Sequence, residues 1–143
     1  MKHLVLLLVV STTAIAAGAA SAAASSEPIR TGFDKSITDP VAFVWAGTVS
    51  GDVSGELTTR LTGLSVSGPI WHVRFDWIIA AGERSFLADL SGILNTETGQ
   101  VIMNGTVAEG WLQGAQVHEE GQLIDPATLR FVGEIVILPG TSG

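Results

Sequence analysis

Few residues in this chain can do chemistry. Among its 143 residues there is no cysteine and no tyrosine, so thiol and phenol chemistry are absent. Of three histidines only His72 and His118 lie beyond an apolar leader, and neither belongs to an H-E-x-x-H or comparable spacing. His72, Arg74 and Asp76 alternate along one run, which on a strand puts them on one face with neighbours about 7 Å apart. A metal needs its donors to converge at about 2 Å, so this triple reads as a surface ladder of charges. In His118-Glu119-Glu120 adjacent side chains point to opposite faces, which reads as a solvated strand end. Glu134 stands in an apolar run, but alternation groups it with Arg130, Val132 and Val136, opposite Phe131 and Ile135, and so turns it outward. No catalytic residue stands out, and neither a metal nor a cofactor is expected.

The aromatic residues are better organised. Trp71, Val73, Phe75 and Trp77 share one face of a run whose other face carries the charged triple. The same two-residue period groups Phe43, Trp45, Gly47 and Val49, then Phe86, Ala88 and Leu90, then Val101, Met103, Gly105 and Val107. It also groups Leu129, Phe131, Ile135 and Ile137, and finally Trp111, Gln113, Ala115 and Val117. Combined, these faces gather the four tryptophans on one side of a sheet. Burial in a core is the default fate of such a face; the sharper reading is that part of it lines a ligand pocket. The candidate lining is Trp45, Trp71, Phe75, Trp77, Phe86, Met103, Trp111 and Phe131, with Gln113 orienting a polar end of the ligand.

The elements that position these residues follow from the rest of the sequence. Met1-Lys2-His3, the run Leu4 to Val10, and small residues up to Ala24 have the layout of a cleavable export signal over 1–24, too short in its apolar run for a membrane span. A secreted or periplasmic location is expected. The full chain holds seven basic residues against fourteen acidic ones; loss of the leader takes Lys2 with it and leaves Lys35 as the one remaining lysine. So acidic a surface repels phosphate backbones and anionic bilayers, so nucleic acid is excluded as a partner, as is a membrane once the signal is cleaved. Residues 25–39 are polar and punctuated by Pro28 and Gly32, and read as an N-terminal arm with one short strand near Ile29 to Phe33.

From 40 to 139 the pattern is a single all-β domain. Seven runs are expected as strands: Val41–Ser50, Glu56–Val66, Ile70–Ile78, Ser85–Leu94, Gln100–Ala108, Trp111–Glu119 and Thr128–Leu138. The turns between them are short, among them Asn95 to Gly99, Glu109-Gly110 and Gly121 to Pro126, so successive strands pair as hairpins. Glycines recur inside the runs at Gly47, Gly63, Gly92, Gly105, Gly114 and Gly133, as a tightly curved sheet requires. An antiparallel up-and-down barrel of seven to eight strands is the expected fold, with an open sandwich as the alternative.

The run Ala81 to Gly92 (AGERSFLADLSG), followed by Gly99 to Gly105 (GQVIMNG), resembles small secreted barrels of the allene oxide cyclase and dirigent type. The likeness is one of strands and glycines over residues 41 to 138, Gly110, Gly114 and Phe131 to Ile135 included, and no active-site residue carries over. It implies an eight-stranded antiparallel barrel with an apolar cavity, often a homo-oligomer, whose members guide cyclisation or coupling of bound hydrophobic compounds. Three functions are therefore weighed. The first is a secreted barrel that binds a small hydrophobic molecule in its interior. The second is an isomerase or cyclase using the same pocket, which requires a polar group there. The third is a non-catalytic structural or interaction protein whose aromatics are only core.

Overall fold

A computed structural model describes residues 27–141. The export signal expected over 1–24 lies outside the described residues. Eight strands follow one another: β1 (Ile29–Asp39), β2 (Val44–Gly51), β3 (Gly55–Ser67), β4 (Ile70–Ala80), β5 (Phe86–Asn95), β6 (Gln100–Gly110), β7 (Gln116–Asp125) and β8 (Arg130–Leu138). Each pairs antiparallel with the next, and β1 closes on β8 from Ile29↔Ile137 to Lys35↔Phe131. The result is a closed up-and-down barrel, in which no strand is left with a free edge.

Alternation along the strands sorts the interior from the surface. Leu57, Trp77, Ile79, Leu90, Met103, Ile135 and Ile137 are fully buried inside, while Arg74 on β4 grips Asp89 on β5 and Arg130 on β8 grips Asp34 on β1 on the outer wall. In both ion pairs the arginine Nε lies 2.9 Å from a carboxylate oxygen, and this hydrogen-bonded guanidinium holds the Asp89 and Asp34 carboxyls below the usual range. The expected ladder of His72, Arg74 and Asp76 is on the outer face, but Arg74 finds its acid on the neighbouring strand, where Asp89, the partner of Asp76, lies on the diagonal from Arg74 within reach of its long side chain. Glu134 faces outward as expected, bonded to Arg30 at 3.2 Å. At Gly47 and Gly105 an added Cβ would run into the backbone of the adjacent strand, so these two positions let the sheet coil tightly enough to close.

Three expectations shift at element boundaries. The strand expected near Ile29 to Phe33 continues to Asp39 and is the eighth of the barrel. The run expected to be a strand from Trp111 is a tight turn as far as Gly114, closed by Gly114 N–H to Val107 C=O at 2.8 Å and Val107 N–H to Ala115 C=O at 2.9 Å. Gly110 and Gly114, both with φ of 92°, supply the left-handed backbone that this turn needs. Conversely, Gly121 lies inside β7, paired with Gly133 and Val101, where a turn was expected.

Candidate functional site

The barrel interior has two unlike halves. Toward the β2–β3, β4–β5 and β6–β7 connections it is packed solid with Val49, Val53, Leu57, Ile79, Phe86, Ala88, Val107, Ala115 and Ile137. Toward the β1–β2, β3–β4, β5–β6 and β7–β8 turns it opens into a cavity of about 240 Å³. Phe43, Trp71, Leu94, Leu123 and Leu129 surround the mouth, and Phe33, Trp45, Phe75, Val101, Met103 and Phe131 form the walls. Phe43 and Leu129 stand in the turns at positive φ, 56° and 48°, a conformation that costs a bulky side chain energy and that the surrounding contacts must hold. Those contacts are visible: Leu61 N–H donates to the Phe43 carbonyl at 3.1 Å, and the Trp45 indole N–H donates to the Leu129 carbonyl at 2.9 Å. Trp45 also meets Phe75 and Phe131 edge-on, with centroids 5.5 and 6.4 Å away.

Among the candidate lining residues, Trp45, Trp71, Phe75, Met103 and Phe131 come together around this cavity. Trp77 and Phe86 point inward but belong to the packed interior, Trp77 fully buried beneath the ring of Phe33 at 5.1 Å. Trp111 and Gln113 are elsewhere: they sit in the β6–β7 turn at the closed end, where Trp111 covers Phe86 and lies under the Arg84 guanidinium while Gln113 is exposed. Gln113 therefore orients nothing inside the cavity. The glycine-built turn moves both residues off the strand face to which strict alternation had assigned them.

Two ionisable residues border the cavity, and sequence reasoning placed neither there. Lys35 of β1 extends inward, 5% exposed, and its Nζ donates to Thr59 Oγ1 of β3 at 3.0 Å. Five rings surround the ammonium: Trp77 at 4.6 Å, Phe75 at 5.0 Å, Trp45 at 5.4 Å, and Phe33 and Phe131 at 5.9 Å from Nζ to centroid. Their electron-rich faces attract a cation, yet burial outweighs this together with the charge of Glu119 and pushes the lysine down to about 8. Glu119 of β7 is 1% exposed, and its Oε1 has no hydrogen-bond partner among the described residues. Burial pushes this carboxyl up, opposed by the field of Lys35 and reinforced by Glu120. Gly121 makes room for it: a Cβ there would come within 2.7 Å of Glu119 Oε2 and 2.9 Å of Phe33 Cζ.

The solvated strand end expected at 118–120 is thus half right. His118 lies on the outer wall between Asn104 and Glu120, with ring nitrogens 2.7 and 2.8 Å from their oxygens, whereas Glu119 turns into the barrel. A signal for both missed residues was present. Ala115 and Val117 lead by alternation to Glu119, and Phe33 leads to Lys35. Among the described residues no group of histidine, aspartate and glutamate side chains converges on a metal position. In comparisons with protein-family models, curated proteins and solved structures, none matches this chain.

Proposed function

We propose that the barrel binds a small hydrophobic molecule in its open half. One observation carries the reading: a cavity of about 240 Å³ walled by aromatic and aliphatic side chains at the end of a rigid closed barrel. A sealed apolar cavity of roughly 150 Å³ already holds benzene, whereas pockets for drug-sized ligands begin near 300 Å³. The cavity therefore suits a compact molecule of one or two rings or a short branched chain. Its mouth is framed by further apolar groups, with Val41, Leu64, Val66 and Ile124 all exposed near the turns of that end. Export through the leader at 1–24 would place such a binder outside the cytoplasm.

Tryptophan fluorescence tests this directly, since Trp45 and Trp71 touch the cavity. Titration with a small aromatic alcohol is expected to change the emission in a saturable way, and Trp45→Phe to remove most of that change. No saturable change with any compact apolar probe overturns the proposal.

A second reading, an isomerase or cyclase of the kind that the allene oxide cyclase resemblance implies, is favoured by a separate observation. The cavity is not purely apolar, because Lys35 and Glu119 both border it. A buried acid and a buried amine can steer charge developing in a bound reactive chain.

A further inference from the structure

The hydrogen-bond inventory around Lys35 is incomplete in a way that a ligand would complete. An ammonium carries three N–H donors, and among the described residues this one has a single acceptor, Thr59 Oγ1, with aromatic faces on its other sides. Glu119 Oε1, an acceptor buried at the same cavity, has no donor among the described residues. The surroundings satisfy a nitrogen with one N–H, a delocalised positive charge and an apolar substituent better than they satisfy an ammonium. A protonated imine is such a nitrogen.

Resting on the reading of the cavity as a ligand site, we infer that Lys35 captures aldehydes, joining a compact hydrophobic aldehyde through a Schiff base with Glu119 as proton donor and counter-ion. The step balances without any further reactant. The neutral Lys35 amine attacks the carbonyl carbon, the C–N bond forms, and the carbonyl π pair becomes a hydroxyl by taking up a proton. That proton comes from the amine nitrogen, relayed through Glu119. The carbinolamine hydroxyl then leaves as water with the Glu119 carboxyl proton, as the nitrogen lone pair closes the C=N bond. Amine, aldehyde and carboxylic acid thus give iminium, carboxylate and water. The five rings that surround Nζ remain around the cation, Thr59 Oγ1 accepts the one remaining N–H, and the aldehyde's chain fills the apolar cavity above. Burial, which disfavours both charged side chains, shifts the amine and the acid toward the states this step consumes.

The composition of the chain simplifies the test, because before loss of the leader the primary amines besides the α-amine are Lys2 and Lys35. The full chain is incubated at pH 8 with cinnamaldehyde and cyanoborohydride, and peptide mass spectra are read for a gain of one aldehyde less one oxygen. Lys35 is expected to be labelled about tenfold faster than Lys2, and cinnamyl alcohol, which fills the cavity but forms no imine, is expected to slow labelling at Lys35 alone. Glu119→Gln is expected to slow labelling at Lys35 severalfold relative to Lys2, and a cooperative urea transition reports that the variant is folded. If the alcohol binds and Lys35 is labelled no faster than Lys2, the aldehyde inference is overturned and ligand binding stands. If the alcohol does not bind and Lys35 stays unlabelled, both fall.

Discussion

The two halves of the barrel are made by the same strands, yet they solve different problems. On β5, Leu90 and Leu94 lie four residues apart on the same inward face. Leu90 is fully enclosed in the packed half, and Leu94 lines the cavity. The packed half closes the barrel and holds the strands in register. The open half gives up packing, takes in a lysine and a glutamate, and keeps two bulky residues at positive φ around its mouth. Close packing and open space are thereby segregated along the barrel axis, and the difference can be measured.

The largest effect should come from the packed half. Leu90→Ala leaves a hole that the closed sheet cannot collapse into, at a cost of about 2–5 kcal/mol. Leu94→Ala only widens a space that already exists, and should cost about 1 kcal/mol or less. Urea unfolding of the two variants gives the contrast; equal losses would mean that the open half carries as much of the stability as the closed one.

The buried pair gives the next effect, through pH. Glu119 keeps its proton when folded up to about 8, whereas the unfolded chain releases it near 4.5, so the folded state binds more protons across that interval and its stability falls as pH rises. Lys35 behaves oppositely: folded, it loses its proton near 8, unfolded near 10.5, so stability recovers as pH rises over that upper interval. A stability minimum near pH 8 is expected, with limbs no steeper than about 1.4 kcal/mol per pH unit. In Glu119→Gln the falling limb disappears and the rising limb stays, and Lys35→Met does the reverse. A flat profile in the wild-type chain would show that water or a bound group already neutralises the pair.

Gly121, between Glu119 and Leu123 on β7, probes the open half itself. In Gly121→Ala the new methyl group meets Glu119 Oε2 and the Phe33 ring, so one of them must move, at about 1–3 kcal/mol. Because both neighbours border the cavity, the same variant should also weaken binding of the aromatic alcohol, whereas Leu90→Ala should leave it intact. Loss of stability with unchanged binding would place the displaced side chain away from the ligand.

How far this division could be read from the sequence depended on the residue. The barrel itself was legible, because alternation and short turns determine which strands pair, and the faces holding Trp45, Phe75, Met103 and Phe131 were assigned as observed. Trp111 and Gln113 were misplaced since a glycine-flanked turn interrupts the alternation on which the assignment rested. Lys35 and Glu119 were missed for a different reason. Lys35 fell in the stretch read as a polar arm whose strand ends near Phe33, and Glu119 in a run read as a solvated strand end, so in neither case was the period of the adjoining inward face carried on.

The smallest effect belongs to the outer wall, and it closes the comparison between what is inside and what is outside. Arg74 and Asp89 form a two-pronged ion pair between β4 and β5, at the level of the strands that carry both halves of the interior. The guanidinium is solvent-exposed, so water screens the attraction and holding two long side chains in one geometry offsets much of what is left. Arg74→Ala should therefore move the unfolding midpoint only slightly, and that small shift should vanish in high salt, where surface charges are screened within a few ångströms. The pH profile of Glu119→Gln relative to wild type, set by charges inside the barrel, should survive the same salt. If salt erased both effects alike, water would have to reach Glu119 as freely as it reaches Arg74, and the interior pair would lose the isolation on which its chemistry depends.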